Sequence, residues 1–412
     1  MNLSLSLTPP GVASTRPPTR RSCAVAASLG LSLDEPAPTP PSTLSLTIAP
    51  NTITLITGPS GSGKTTLLRT IRRRLRALDS AIIEPPAAAR LRDRPAIDLI
   101  DGPLEYAVGA LARAGLAEAS CLVRRPGELS EGQRERLRLA IALDRAQRSP
   151  ANSPVVLLLD EFCASLDRQH ARAVGALLHR FITRSRVPVS AIIATPRDDL
   201  APWLAPHARI TCSLAAPPAF SLAPPAQPRD PLDAVRIERG DRADYLALAP
   251  LHYRARQPAT FALVLRALHH ECSAAEPILA GAMVISMPTL NARWRARAWP
   301  GRFDTPDKSL NAHRLNDELR AISRVVIDPR FRSLGLASRM VRHYLANPLT
   351  PCTEAVAALA HASPFFERAG MTPYPLTPSQ RDARLLDALA HLELEPWRLA
   401  TPDLALRRAL DA

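Results

Sequence analysis

Lysine is nearly missing from this chain. Of its 52 basic residues only Lys64 and Lys308 are lysines; the others are arginine, against 38 acidic residues, for a formal charge of +14. Arginine, alanine and proline are inflated together, as GC-rich coding gives, so the charge alone does not define a binding face. Arginine does keep its bidentate phosphate chemistry wherever it clusters. Long apolar runs are missing too. No stretch reaches the roughly 18 uninterrupted apolar residues of a membrane span, which excludes a helical integral membrane protein. Six cysteines (Cys23, Cys121, Cys163, Cys212, Cys272, Cys352) include no C-x-x-C pair, so a zinc site or a redox dithiol has little support. Their scattered, mostly apolar surroundings predict reduced core thiols in a cytoplasmic protein. Residues 1–21 lack the basic-then-apolar order of a secretory leader and are expected to form a disordered tail. Collagen and coiled-coil periods and internal repeats are also absent.

What remains is globular. The chain has 412 residues, enough for two or three domains of about 150 residues each. Apolar residues make up 46% and charged residues 22%, which is ordinary for a soluble protein. A Pro/Ala-rich stretch, 213–232, reads as a semi-rigid linker. It separates an α/β domain, 22–212, from a second mixed domain, 233–412. In the first, strands are expected over 44–48, 52–57, 155–159 and 190–194, and a helix over 64–78. The last two strands are continuous apolar runs, as suits a parallel sheet buried on both faces. In the second, strands are expected over 261–267, 278–286, 322–327 and 354–359, and a helix over 334–346.

The sequence Gly58-Pro59-Ser60-Gly61-Ser62-Gly63-Lys64-Thr65-Thr66 fits G-x-x-x-x-G-K-[ST]. It follows a strand and opens a helix. Glycines let backbone N–H groups turn inward onto phosphate oxygens, and the helix N-terminus adds its dipole. Lys64 can reach the β- and γ-phosphates, and the Thr65 hydroxyl can ligate Mg²⁺. Val155 to Leu159 then end in Asp160 and Glu161. Asp160 is the second expected Mg²⁺ residue, and Glu161 the catalytic carboxylate that polarises the attacking water.

Between these motifs stands Leu129-Ser130-Glu131-Gly132-Gln133. Ser130 and Gln133 have the spacing of a helix capping box. The run also resembles the signature of ABC-type ATPases, and Ser165-Leu166-Asp167 resembles that family's D-loop, centred on Asp167. The four motifs in family order cover about 44–195. The resemblance implies ATP and Mg²⁺ as cofactors and an ATP-dependent homodimer. In that arrangement two ATPs lie between facing subunits, each held by one subunit's P-loop and the other's signature at Ser130, Gly132 and Gln133. The departures from the family are specific. The first aromatic of the chain is Tyr106, so no upstream ring stacks on adenine. No glutamine lies between Lys64 and Gln133, so the Q-loop that couples to transmembrane partners is not visible. Thr195-Pro196 stands where the switch histidine is expected. These departures argue against transport, so no transmembrane partner and no membrane is expected.

In the second domain, a strand ending at Ile327 is followed by Arg332-Ser333-Leu334-Gly335-Leu336-Ala337. This R-x-x-G-x-A before a helix resembles the acyl-CoA loop of GCN5-related (GNAT) acetyltransferases. The resemblance implies that Ile327, Arg332, Ser333, Leu334, Gly335, Leu336 and Ala337 bind acetyl-CoA or another acyl-CoA. Residues 361–371 resemble that family's C-terminal helix and the strand entry after it, but Phe366 stands where a proton-donating tyrosine is usual. His361, Ser363 or Tyr374 remain substitutes for it, and Glu318 and His252 candidates for the base. Ser323 to Pro329 and His361 to Met371 also resemble the branch near the phage Mom protein, which modifies DNA adenine. Asn291 to Trp299 interleave arginines with two tryptophans. They read either as a nucleic-acid face or as a surface helix with its tryptophans turned inward. Arg72, Arg73, Arg74 and Arg76 read as a solvated helix face.

The expected function is an ABC-type ATPase coupled to an acyl-CoA-dependent N-acyltransferase acting on a nucleic-acid base. The alternatives are an ATP-driven nucleic-acid clamp with a non-catalytic GNAT-like domain, and an acyltransferase for a small-molecule or protein amine.

Overall fold

Strands that read as unbroken apolar runs need cover on both faces, and they occupy the middle of a six-stranded sheet. This computed structural model describes residues 2–7, 18–30, 42–78, 81–150, 153–214, 216–223, 226–252, 257–270, 276–292, 294–357, 360, 362–374, 380–392 and 394–396. The chain begins with β1 (Asn2–Leu7), α1 (Arg20–Leu29) and β2 (Ser42–Thr47), and β1 pairs antiparallel with β2 from Asn2–Thr47 to Leu7–Ser42. The tail expected over 1–21 therefore contains a strand and the start of a helix. Leucine alternates with serine at Leu3, Leu5 and Leu7, the period of two that a strand needs. Thr19 and Ser22 close a capping box that starts α1.

Next come β3 (Ile53–Thr57), α2 (Lys64–Ala77), β4 (Ala81–Ile83), α3 (Leu104–Arg113), α4 (Ala119–Val123), α5 (Glu131–Gln147) and β5 (Val155–Leu159). They are followed by α6 (Arg168–Arg184), β6 (Val189–Ala194), α7 (Ala201–Leu204), β7 (Ala208–Thr211) and β8 (Ala219–Leu222). The sheet order is β4-β5-β6-β3-β7-β8, parallel throughout except for the antiparallel edge pair β7–β8. Alternate residues of β5 serve two cores. Val155, Leu157 and Leu159 join Leu111, Leu137 and Leu178 of α3, α5 and α6. Val156 and Leu158 join Leu67, Leu68, Ile71 and Leu75 of α2. Each such side chain, fully buried, is worth about 1.5–3 kcal/mol. That fixes the two helices whose N-termini carry the P-loop and the signature.

The second sheet is built from β9 (Val235–Gly240), α8 (Arg242–Leu248), β10 (Leu263–His269), β11 (Ile278–Ser286), α9 (Arg295–Ala298), α10 (Lys308–Glu318), β12 (Leu319–Ile327), α11 (Leu336–Ala346) and β13 (Cys352–Ala355); α12 (Gln380–His391) follows. Its order is β13-β12-β11-β10-β9, with antiparallel pairing from β9 through β12. Tyr245 and Leu248 of α8 pack on Val264, Ala282, Val284 and Val326. Helix α11 buries Met340, Val341 and Tyr344.

Two compact units result: residues 1–287 with 320–370, and residues 288–319 with 371–412. The two larger sheets lie in the first unit, and so do residues 213–232. The stretch read as a linker carries β8. Its far end is held by Arg180, 3.0 Å from Asp230, and by Arg339, which donates to the carbonyls of Leu232 (2.6 Å) and Val235 (3.1 Å). Pro/Ala composition describes side chains with little to anchor. It missed backbone carbonyls that arginines from elsewhere can grip.

Two further expectations change. Over 361–371 no α-helix forms among the described residues. A 3-10 turn, Glu367–Ala369, stands between Pro364 and Gly370, and Met371 to Tyr374 form no strand. Proline and a left-handed glycine six residues apart leave too little chain for a helix. Over 291–299 the helix is only four residues long. Arg295 is buried with its guanidinium on the carbonyls of Thr289 and Leu290, and Trp299 packs edge-on to Phe303. The inward-packed reading therefore replaces a phosphate role for Arg295. Cys272, Arg293 and His361 lie outside the described residues. Among the described residues no helix is long and apolar enough to cross a membrane.

Candidate nucleotide site

The loop between β3 and α2 curls because its glycines permit it. Gly58 has φ +146°, and a Cβ there would lie 2.3 Å from the Cys212 carbonyl oxygen and 2.8 Å from the Ser62 hydroxyl. No other residue fits between the two strand ends. Pro59 and Ser60 are exposed at the top of the loop, and Gly61 and Gly63 carry it into α2 with left-handed backbones. Lys64 Nζ donates to the carbonyls of Gly58 (2.8 Å) and Pro59 (2.7 Å), which fixes the ammonium over the loop. Thr65 follows in the first helical turn, with Thr66 exposed beside it.

Strand β5 delivers the acids to the same place. Thr65 Oγ1 donates to Asp160 Oδ1 at 3.2 Å, although the two residues are 95 positions apart in sequence. Two hard oxygen donors side by side suit Mg²⁺, a small cation that keeps part of its water shell and takes few protein ligands. The Ser62 hydroxyl is buried with no hydrogen-bond partner among the described residues, a polar atom left for a phosphate oxygen to satisfy. The residues present therefore fit a magnesium-bound nucleoside triphosphate. Glu161 is exposed, has φ +52°, and its N–H donates to Asp160 Oδ1 at 3.1 Å. A left-handed backbone on a non-glycine residue is strained, and such strain concentrates at working sites.

The signature forms the capping box that its spacing implied. Gln133 N–H donates to Ser130 Oγ (3.3 Å), and Ser130 N–H donates to Gln133 Oε1 (3.0 Å). That does not compete with a ligand role, because Ser130 remains exposed at the start of α5. Gly132 packs against the D-loop, where an added Cβ would lie 2.7 Å from Leu166 Cδ2. Asp167 caps α6 by accepting from the N–H groups of Gln169 (3.0 Å) and His170 (3.1 Å). Burial raises its carboxyl pKa, but hydrogen bonds from the His170 ring and backbone outweigh burial and leave it below the usual range.

Sequence reasoning missed the braces between these parts. Glu135 accepts from Cys163 N–H at 2.7 Å and from the Ser165 hydroxyl, tying the signature helix to the D-loop. In sequence it stands among arginines and reads as one more charge on a helix face. Thr195, in the place of the expected histidine, is buried and donates to the Phe162 carbonyl at 2.8 Å. Arg197 donates to the Leu166 carbonyl at 2.8 Å and pairs with Asp199. That hydrogen bond holds the Asp199 carboxyl below its usual range. A depressed carboxyl contributes its stability above the unfolded pKa and loses it as pH falls through the folded one. Tyr106, the first aromatic, donates to Asp144 at 2.7 Å and lies under the Arg148 guanidinium.

The loop expected to hold acyl-CoA lies between β12 and α11. Ile327 ends the strand, Ser333 is left-handed (φ +62°), Gly335 is left-handed (φ +102°), and Leu336 and Ala337 open the helix without a side-chain cap. The Arg332 guanidinium donates to the carbonyls of Ile327 (2.8 Å), Leu251 (3.1 Å) and Ala117 (3.4 Å), so it is engaged inside the protein. Leu334 is buried, with its carbonyl accepting from Arg180.

A glycine-rich loop between a parallel strand and a helix, with a lysine over the loop and a threonine–aspartate pair at its base, defines a P-loop nucleoside triphosphatase. The family profile described as ABC transporter matches residues 42–96. The lipoprotein-releasing system ATP-binding protein LolD of Anaeromyxobacter dehalogenans is 31% identical over 37% of this chain and 75% of that protein. The zinc import ATP-binding protein ZnuC of Cereibacter sphaeroides is 32% identical over 42% of this chain and 71% of that protein. A solved dimeric bacterial ABC transporter cassette is 22% identical, covers 42% of this chain and 85% of that chain, and superposes with a TM-score of 0.33. This chain belongs to the ABC-type ATPase family, which makes ATP its nucleotide and Mg²⁺ the accompanying ion.

Proposed function

We propose that this chain is an ATPase that closes into a homodimer around two ATP molecules and uses that closure to act on its own second sheet. The observation that carries the reading is the pairing of Thr65 with Asp160 next to Glu161, with an exposed Ser130 at the head of a second helix. In one subunit's P-loop, Lys64 holds the phosphates and Thr65 and Asp160 hold the Mg²⁺, which supplies neutralisation of phosphate charge. Glu161 orients water and takes its proton. The partner's Ser130, Gly132 and Gln133 cover the phosphates from the other side. The missing Q-loop glutamine and the buried Thr195 support a role outside transport, although the relatives named above belong to transport systems. Complementation tests the composite site. Lys64→Ala and Ser130→Arg chains, each inactive alone, are expected to regain ATPase activity when mixed, because one of the two shared sites is then intact. A mixture as inactive as its parts would contradict the reading.

A second reading takes the second sheet as an acyl-CoA-dependent N-acyltransferase acting on a nucleic-acid base, or on a small-molecule or protein amine; the remaining alternative is a non-catalytic clamp on nucleic acid. What supports the acyl reading is Gly335, left-handed and uncapped at the head of α11, eight residues after β12 ends, since such a helix start attracts a pyrophosphate. Against it stands the engaged guanidinium of Arg332. Calorimetric titration of acetyl-CoA into the full chain, beside Gly335→Asp, separates the two. Micromolar binding lost in the variant supports the transferase, and no binding leaves the second sheet a non-catalytic module.

A further inference from the structure

The loop 328–335 is gripped at both ends by the elements that carry the signature and the D-loop. At one end, Arg136 lies one turn beyond Gly132 on α5. It donates to the carbonyls of Gly132 (3.4 Å) and Gly115 (2.7 Å) and pairs with Glu118 at 3.1 Å, both side chains nearly buried. The other oxygen of Glu118 accepts from Ala117 N–H at 3.1 Å. The Ala117 carbonyl in turn accepts from Arg332, which returns to the Ile327 carbonyl. At the other end, α6 starts at Asp167 and reaches Arg180 thirteen residues later, about 20 Å along the helix. Arg180 donates to the Leu334 carbonyl at 3.1 Å while pairing with Asp230. Between the two grips, the 3-10 turn Pro329–Phe331 packs on α6, and Asp328 and Arg330 form a bidentate pair.

We propose that this loop is the output element of the ATPase: nucleotide-driven movement of α5 and α6 is delivered to it through Arg136–Glu118–Arg332 on one side and Arg180 on the other. Two properties make it suited to that task. Ser333 holds a left-handed backbone, which strains a non-glycine residue, and a small displacement of the loop can release or increase that strain; Gly335, left-handed at no such cost, gives the chain freedom to move beside it. It also opens α11, whose buried face lies against the second sheet, so a shift of the loop moves that helix rather than a surface tip. Arg180 is a positioning residue here. Its guanidinium meets the Leu334 carbonyl and Asp230, thirteen residues along α6 from Asp167.

The inference rests on ATP binding at the P-loop, and its test separates the two. Hydrogen–deuterium exchange of the peptide spanning 330–336 is measured in the full chain carrying Glu161→Gln, with and without ATP and Mg²⁺, while calorimetry on the same sample records ATP binding. ATP is expected to change exchange of these amides by about fivefold or more, the lower end of ordinary coupling between sites. Adding Arg180→Ala, at a half-exposed side chain, is expected to leave ATP affinity unchanged and to reduce that response to less than about twofold. Bound ATP with unchanged exchange at 330–336, or an undiminished response in Arg180→Ala, would overturn the coupling and leave the ATPase reading intact. Failure to bind ATP would overturn both.

Discussion

Glu161→Gln is expected to lower ATP turnover by about 10²–10⁴-fold, the range in which a positioned acid–base group contributes to a reaction. Affinity for ATP should stay within a few-fold of the parent. The substitution keeps the size of the side chain and removes only its ability to take a proton from water. Glu161 is exposed, and its strained backbone is anchored by the N–H to Asp160 rather than by its own carboxylate. The fold therefore has no reason to respond. Steady-state phosphate release gives turnover, and nucleotide titration gives affinity. A loss of affinity equal to the loss of turnover would instead mark Glu161 as a structural residue of the loop.

Lys64→Ala is expected to act on the other quantity. Its ammonium is placed over the loop by the carbonyls of Gly58 and Pro59 and has three donors to share with phosphate oxygens. Truncating one partner of a hydrogen-bonded charge pair of this kind costs about 2–5 kcal/mol, so ATP affinity should fall by about 30-fold or more. ATP-dependent pairing of chains should disappear with it. Equal ATP affinity in parent and variant would remove Lys64 from the site. A Lys64→Arg chain should not rescue it, since the planar guanidinium cannot occupy the tight curl closed by Gly58 and Cys212.

The nucleotide half was legible because its chemistry is written in contiguous residues. Gly58 to Thr66 fold on themselves, and the apolar run of β5 has one place to go, the centre of a parallel sheet, which sets Asp160 beside Thr65. The braces were not legible because they are pairs of distant, common residues. Glu135 with Ser165, Arg197 with the Leu166 carbonyl, and Arg332 with the Ala117 carbonyl leave no spacing signal. Arg332 shows the general reason. As a sequence letter it is a charge ahead of a glycine. In three dimensions the same charge is satisfied by three carbonyls, a partner type that every residue offers and no motif records. Residues 2–7 were hard to read for a different reason. Their leucine–serine alternation was visible as a strand period, but six residues make a strand only when β2 is there to pair with them.

Pairing of two chains around ATP is the step on which the proposed composite site depends. Sedimentation velocity of the Glu161→Gln chain, with and without ATP and Mg²⁺, measures this most directly. The prediction is a species of twice the chain mass that forms with ATP, is absent without it, and is absent when Lys64→Ala is added. A single-chain mass with saturating ATP bound would contradict it and leave a P-loop that binds nucleotide without joining two subunits.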